Sequence, residues 1–163
     1  MYYLDLIQSK IFSQDQLSIS ILNWKKEKKK IVFTNGCFDL IHKGHIEYLA
    51  RAKNFGDKLI IGLNSDNSVK RLKGEQRPIN TQEARALLLA SFVFTDAVVV
   101  FDEDTPEKII QLYSPDVLVK GGDYKYNEIV GAEYVTNHGG KVEIIPFVEG
   151  YSSTNIIKNI SKK

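Results

Sequence analysis

Short runs of aliphatic and β-branched residues alternate along the chain with longer segments of helical periodicity. Strand-like runs occupy residues 31–34, 58–63, 97–100, 117–119 and 142–145. Helical patterns occupy residues 44–55, 81–92, 128–137 and 153–160, and another helix begins at Pro106 after Thr105. Strands that are buried on both faces and separated by helices form a parallel sheet covered by helices. The sequence therefore predicts a doubly wound α/β domain with a five-stranded parallel sheet.

The first 30 residues precede this alternation and predict a separate helix over residues 16–26. Ser13 and Gln16 have the spacing of a capping box, in which each side chain accepts a hydrogen bond from the other's backbone. No internal repeat, low-complexity tract or linker divides the rest of the chain. We therefore expect a helical extension over 1–30 and a single α/β domain over 31–163.

Composition and charge exclude several classes of protein. A length of 163 residues suits one domain, and the single cysteine excludes an internal disulfide. The lysine-rich run 25–30 is interpreted as the solvated end of a helix, because no aromatic platform for nucleic acid accompanies it. The N-terminus lacks a signal-peptide pattern and the apolar runs are too short for a membrane span. We expect a cytoplasmic protein that binds neither nucleic acid nor membrane.

The predicted topology also indicates where a ligand binds. In doubly wound sheets the binding crevice lies at the carboxyl ends of the strands, where the strand order reverses. Four predicted turns reach that edge: residues 35–44, 64–78, 120–124 and 149–154. These turns also contain the chain's most unusual chemistry, which favours a site assembled from all four.

The first of these turns carries two of the chain's three histidines, His42 and His45, within the string TNGCFDLIHKGH at residues 34–45. The start of a helix offers free N–H groups and a partial positive charge, so it attracts phosphate. Imidazoles there can donate hydrogen bonds to phosphate oxygens as charge develops. Alternatives are ordinary surface histidines, or a metal site with Cys37 or Asp39. A structural zinc site normally uses two ligand pairs, which disfavours the metal.

This string resembles the HxGH signature of the nucleotidyltransferase superfamily, which includes the cytidylyltransferases and phosphopantetheine adenylyltransferase. Five further stretches resemble the heptose 1-phosphate adenylyltransferases, which make nucleotide-activated heptose for bacterial surface polysaccharide. They are residues 62–66, 71–78, 101–106, 119–124 and 152–157. The resemblance runs from about residue 30 to residue 160. In many bacteria this activity is fused to a sugar kinase. This sequence has no kinase region, so it resembles the stand-alone form.

The resemblance implies transfer of a nucleoside monophosphate from ATP, or from another nucleoside triphosphate, to heptose 1-phosphate with release of pyrophosphate. An acceptor phosphate is already anionic and needs no base to activate it. Mg²⁺ is expected to be carried mainly by the triphosphate, with no dedicated protein ligand. The expected partners are the nucleoside triphosphate and the sugar 1-phosphate, and relatives are commonly homodimers.

The resemblance also implies roles for individual residues. His42 and His45 are expected to stabilise the transition state together with Lys73. The residues expected at the nucleotide are Thr34, Asn35, Gly36, Cys37, Phe38, Lys43, Gly44, Ser152, Ser153 and Thr154. Those expected at the sugar phosphate are Asp39, Arg77, Arg85, Lys120, Gly121, Gly122 and Asp123.

Several of these residues have simpler interpretations. Lys73 lies in the charged, glycine-containing segment 70–77, which is either a solvated loop or a phosphate-binding flap. Arg85 is equally able to pair with Glu83 or Asp96. The glycine pair after the fourth predicted strand could form only a tight turn, and the serines at 152–153 are N-cap residues in any reading.

Two other functions fit part of the pattern. A glycerol 3-phosphate cytidylyltransferase shares the HxGH string and a serine–threonine motif near the C-terminus, although the stretch 120–124 favours heptose. A non-catalytic nucleotide-binding regulator is disfavoured, because both histidines and Lys73 are present.

Overall fold

Six parallel strands form one sheet in the computed structural model, which describes residues 2–122 and 124–146. The strands are β1 (Ile11–Phe12), β2 (Ile31–Gly36), β3 (Lys58–Asn64), β4 (Ala97–Phe101), β5 (Val117–Gly121) and β6 (Lys141–Ile145). Their order is β1-β4-β3-β2-β5-β6. The five predicted strands are all present. The expected count was wrong by one because β1, with two residues, is too short to show a period.

Helices cover both faces of this sheet. They are α1 (Tyr3–Gln8), α2 (Gln14–Lys26), α3 (Lys43–Lys53), α4 (Asp66–Lys73), α5 (Gln82–Ala90), α6 (Glu107–Tyr113) and α7 (Ala132–Asn137). The helix predicted over 128–137 is instead a 3-10 turn at Tyr126–Glu128 followed by α7. None of the helices within the described ranges is both long and apolar enough to cross a bilayer. The helix predicted over 153–160 lies outside those ranges.

Two hydrophobic cores lie on opposite faces of the sheet. In β2, Ile31 and Phe33 point into one core and Val32 points into the other, as the two-residue period of a strand requires. The first core is completed by α2, α6 and α7, and the second by α3 and α5 with Ile7 of α1. The doubly wound α/β fold predicted from the sequence is confirmed.

The N-terminal segment is part of this architecture. The predicted capping box is present: Ser13 Oγ accepts from the Gln16 N–H, and Gln16 Oε1 accepts from the Ser13 N–H. Leu17 is fully enclosed and Ile21 is 4% exposed, both in the first core. Residues 11–26 thus add an edge strand and a core helix to the sheet.

The strand order reverses at β2. From β2 the chain moves outward through β3 to β4, and it then returns to place β5 on the other side of β2. The carboxyl ends of β2 and β5 therefore border the crevice in which such folds bind ligands. Both the 34–45 string and the 120–124 stretch begin at these strand ends.

Candidate active site

The two histidines of the 34–45 string lie together at the start of α3. His42 is the N-cap residue and His45 lies in the first helical turn, as expected. Their ring centroids are 3.8 Å apart and the ring planes differ by 31°. The backbone N–H of His42 donates to Nδ1 of His45 over 3.4 Å. A neutral His45 ring therefore carries its proton on Nε2, and this N–H is its hydrogen-bond donor.

Both rings favour the neutral form. Burial lowers the pKa of His45 to about 4, and the neighbouring His42 contributes to this shift. Burial also lowers the pKa of His42 below its ordinary value. At neutral pH the pair consequently offers hydrogen-bond donors without the repulsion of two adjacent charges.

Phe38 packs against this pair. Its backbone adopts φ 45°, in the left-handed region, and its ring meets the His45 ring edge-on at 5.4 Å between centroids. A Cβ atom at Gly36 would lie only 3.0 Å from Cε2 of Phe38. Gly36 was expected at the nucleotide, and in the structure it makes room for this ring.

Asp39 is enclosed by protein and is 3% exposed. Its carboxylate accepts hydrogen bonds from the N–H groups of Ile79 and Asn80 and from Nε of Arg77, the last at 2.6 Å. Burial alone would raise the pKa of this carboxyl, but the three donors outweigh it and hold the pKa below its usual range. In this conformation Asp39 holds the 77–80 segment, including Arg77, and the expected contact of both residues with the sugar phosphate stays a prediction.

The ion pair of Arg85 is not one of those considered from the sequence. The residue is 0% exposed, and its guanidinium pairs with Asp66 at 2.8 Å, not with Glu83 or Asp96. Asp96 is instead paired with Lys53 and Lys58. The other donors of Arg85 reach the backbone carbonyls of Cys37, Asn64 and Asn80. The side chain is enclosed in this conformation, so the expected contact of Arg85 with the sugar phosphate stays a prediction.

Thr34 supports the site from behind. It is fully buried, and its hydroxyl lies 2.5 Å from the hydroxyl of Tyr48, which donates to the carbonyl of Val119. A Cβ atom at Gly121 would come within 3.0 Å of Cε2 of Tyr48. This differs from the expectation that Thr34 touches the nucleotide. Sequence reasoning missed Tyr48, although its place three residues after His45 on one helix face was a signal.

Lys120 and Asn35 connect the two sides of the crevice. Nζ of Lys120, at the end of β5, donates to Oδ1 of Asn35, near the end of β2, over 2.6 Å. Burial lowers the pKa of the Lys120 ammonium to about 8, so it stays largely charged at neutral pH. No carboxylate in residues 2–122 or 124–146 forms an ion pair with it. Gly122 follows with φ 128°, a conformation suited to glycine.

Lys73 is the last residue of α4, so the expected loop over 70–77 is in part a helix. Its side chain is exposed, and its charge acts on Cys37. Burial raises the pKa of the Cys37 thiol, and the charges of Lys73 and Arg85 oppose that shift. The charge of Lys73 therefore acts on the 34–45 string at Cys37. Lys43 forms an exposed ion pair with Glu47 at 3.4 Å.

Four residues that were expected to contact the substrates lie outside the described residues: Asp123, Ser152, Ser153 and Thr154. Gly44 lies inside the first turn of α3. Among the residues that the structure describes, no three His, Cys, Asp or Glu side chains are grouped closely enough to hold a metal ion.

The arrangement suits a polyanion. Two neutral imidazoles and the N-terminus of the 11-residue helix α3 follow β2, and the Lys120 ammonium lies near the carboxyl end of the neighbouring β5, in contact with Asn35 of β2. Lys73 adds a second positive charge that acts on Cys37. Donors and cations of this kind bind phosphate oxygens and stabilise charge that develops on them.

The chain is similar in sequence to known proteins. The chain is 54% identical over 156 residues to the bifunctional protein HldE of Campylobacter jejuni subsp. jejuni serotype O:2, covering 96% of this chain and 32% of that protein. It is 53% identical to the HldE of Geobacter sulfurreducens, covering 94% of this chain and 31% of the relative. The chain thus spans about a third of the length of these curated relatives.

Two solved structures share the fold. The lipopolysaccharide core biosynthesis protein of Thermoplasma volcanium GSS1 has a TM-score of 0.61 and 28% identity, covering 76% of this chain and 99% of that one. The pantoate-beta-alanine ligase of Francisella tularensis has a TM-score of 0.61 and 17% identity, covering 93% of this chain and 76% of that one, and it supports the fold alone.

The family comparison includes the site itself. The family model described as cytidylyltransferase-like matches residues 33–159. This range contains the histidine pair, Lys73, Lys120 and strands β3 to β6. The chain therefore belongs to the cytidylyltransferase-like family.

Proposed function

We propose that this chain transfers a nucleotidyl group from a nucleoside triphosphate, ATP in the first instance, to heptose 1-phosphate and releases pyrophosphate. The observation that carries the proposal is the stacked pair His42 and His45 at the start of α3, beside the strand-order reversal. The HldE relatives and the lipopolysaccharide core biosynthesis protein support a role in surface polysaccharide. A reaction that consumes nucleoside triphosphate also favours a cytoplasmic location.

The chemistry follows from the charge states of the reactants. A phosphate oxygen of the acceptor attacks the α-phosphorus, the bond from that phosphorus to the bridging oxygen breaks, and its electron pair leaves with pyrophosphate. The acceptor oxygen is already ionised, so no proton has to be removed. What remains is alignment of two anions and stabilisation of charge at the α-phosphate.

Two histidines and two lysines each carry one part of this alignment and charge stabilisation. His42 and His45 donate to the α-phosphate region, where neutral donors help without drawing the triphosphate into a deep ground-state minimum. Lys73 stabilises the outer phosphates and the departing pyrophosphate. Lys120 receives the phosphate of the acceptor, exchanging its Asn35 contact for a charge-assisted hydrogen bond.

Mg²⁺ enters this proposal as part of the triphosphate substrate. The carboxylate of the 34–45 string, Asp39, is already occupied by three donors and cannot also serve as a metal ligand in this conformation. Mg²⁺ tends to keep much of its water and to be held by substrate phosphates. The described residues therefore suit a bound Mg²⁺–triphosphate complex better than a protein-held ion.

The decisive experiment measures pyrophosphate release with each of four nucleoside triphosphates and heptose 1-phosphate, in the presence of Mg²⁺. Release is expected only when both substrates are present, and fastest with ATP. Glycerol 3-phosphate and CTP form the comparison arm. Turnover in that arm alone would assign the chain to glycerol 3-phosphate cytidylyl transfer, and nucleotide binding without turnover in any arm would favour a regulator.

A further inference from the structure

Arg85 is among the largest side chains that are fully enclosed in the described structure, and it is charged. Enclosing a charge costs free energy, and a well-packed apolar side chain of similar size often stabilises a fold as well or better. Its one carboxylate partner, Asp66, is itself 33% exposed at the side chain. The location of its other partners suggests a reason for this arrangement besides stability.

Those partners come from three separate segments. Nη1 donates to the carbonyl of Cys37 over 2.6 Å and to that of Asn64 over 2.9 Å, while Nε donates to the carbonyl of Asn80 over 3.0 Å. Cys37 follows β2, Asn64 ends β3, and Asn80 lies two residues before α5. One guanidinium thus joins the 34–45 string, at Cys37, to the end of β3 and to the segment before α5.

The bond to Cys37 acts on an unusual point of the backbone. The Cys37 carbonyl belongs to the peptide that leads into Phe38, whose φ of 45° is rare for a bulky residue. Such a conformation costs on the order of 1–3 kcal/mol and persists only where the surroundings hold it. Arg85 holds the peptide before Phe38, and Asp39, with its three donors, holds the chain after it.

The conformation of Phe38 in turn determines where its ring lies. The ring meets His45 at 5.4 Å, and His45 lies 3.8 Å from His42, all distances between centroids. A continuous series of contacts therefore leads from the guanidinium to the two imidazoles.

We propose that Arg85 is a positioning residue for nucleotidyl transfer. Through the Cys37 carbonyl it keeps Phe38 in its left-handed conformation, and Phe38 fixes the His45 ring and its stacked partner before the triphosphate binds. The catalytic consequence rests on the proposed function, whereas the effect on the imidazoles does not.

The first test needs no substrate. NMR titration of the histidine rings is measured in the wild-type protein, in Arg85→Gln and in Arg85→Lys. Because burial lowers the pKa of His45 to about 4, its signals should barely move between pH 8 and pH 5.5 in the wild type. In Arg85→Gln the ring should become solvated and titrate nearer the ordinary value, with Arg85→Lys in between. Arg51→Gln, which removes an arginine that is 58% exposed on α3, should titrate like the wild type.

The second test is kinetic. A displaced catalytic group can lower turnover about a hundredfold, so kcat per folded molecule should fall by roughly that factor in Arg85→Gln. KM for the triphosphate should change much less, and Arg85→Lys should recover part of kcat. If Arg85→Gln does not fold, Arg85→Lys decides both tests.

The outcomes separate the two proposals. A folded variant with an unchanged His45 titration and a wild-type kcat, whatever its melting temperature, would show that Arg85 only stabilises the fold. An inactive wild-type protein would overturn the proposed function, while the NMR comparison would still decide whether Arg85 positions the histidines.

Discussion

At the residue scale, the notable property of the site is that its histidines are uncharged where a triphosphate would bind. His42 and His45 are stacked, partly buried and shifted to low pKa values. A charged pair would attract the substrate more strongly, but this attraction would act on the ground state and the transition state alike. Neutral donors close to the reacting phosphorus act mainly where charge develops.

His45→Ala tests this directly. Removing one preorganised donor to a developing charge typically lowers turnover about a hundredfold to a thousandfold, so kcat should fall by that factor with a smaller change in KM for the triphosphate. Steady-state kinetics and a melting curve on the purified variant provide the measurement. His138→Ala is the matched control, because His138 stacks on Tyr134 at the end of α7, away from the site. A near-normal kcat in His45→Ala would remove His45 from the mechanism.

The same residue makes stability depend on pH. The unfolded chain binds a proton at His45 near its ordinary pKa of 6.5, whereas the folded protein binds it only near 4. The unfolded state therefore carries more protons between these values, and stability falls as pH decreases through that window. The melting temperature should drop more between pH 7 and pH 5 in the wild type than in His45→Gln. Equal drops would show that His45 titrates normally in the folded protein.

At the element scale, one tyrosine of α3 forms hydrogen bonds to two strands of the sheet. The Tyr48 hydroxyl bonds to Thr34 of β2 and to the carbonyl of Val119 of β5, so it connects the helix that carries the histidines to both strands of the crevice. Burial raises the pKa of this phenol well above its usual range, and the hydroxyl stays protonated.

Tyr48→Phe should destabilise the protein because it leaves two buried polar groups without their partner. An unsatisfied buried group costs about 1–3 kcal/mol, and this is the expected decrease in the free energy of unfolding, measured with urea. Thr34→Val in the same background removes one of the orphaned groups, so the double variant should lose less than the sum of the two single variants. Additive losses would mean that the two hydroxyls are not coupled.

Elements with a strong local signal were predicted correctly from the sequence. The strands β2 to β5 contain nearly continuous apolar runs, and Ser13 is an N-cap whose side chain accepts the expected hydrogen bond. Three elements were missed for physical reasons: α1 has no buried residue, β1 is too short, and α4 is mostly polar with only Ser68 and Val69 buried. Each is defined by tertiary contacts, which no local pattern contains.

The sequence predicted that the two histidines lie at the start of a helix after β2, but it did not predict the partners of the buried charges. Arg85 and Asp39 look like ligand-binding residues in the sequence because charged side chains are seldom enclosed. Their partners are mostly backbone groups of distant segments, such as the Asn80 N–H and the Cys37 carbonyl. Backbone groups have no sequence signature, so these two roles became evident only in three dimensions.

At the scale of the whole molecule, the division into an extension over 1–30 and a domain over 31–163 stays a prediction. What the structure adds is that α2 buries Leu17 and Ile21 in the first core, while β1 pairs with β4. An extension attached in this way is expected to contribute to the stability of the entire fold.

Leu17→Ala measures that contribution. Truncating a fully buried leucine costs about 2–5 kcal/mol, so the free energy of unfolding should decrease by this amount in one cooperative transition. Leu22→Ala on the same helix is the control; Leu22 is 60% exposed, and its loss should change stability by less than about 0.5 kcal/mol. Separate transitions, or a negligible effect of Leu17→Ala, would indicate an extension that folds independently.

The pairing of β1 with β4 also affects the order in which a ribosome can complete this fold. Next to β1, the Gln14 side chain donates a hydrogen bond to the carbonyl of Val100 in β4, which is 86 residues further along the chain. At a synthesis rate of about 5–20 residues per second, the first strand waits roughly 4–17 s for its neighbour to be made. During this time the core that receives Leu17 and Ile21 lacks the side chains of β4, α6 and α7, so the earliest part of the nascent chain is among the last to be fully buried.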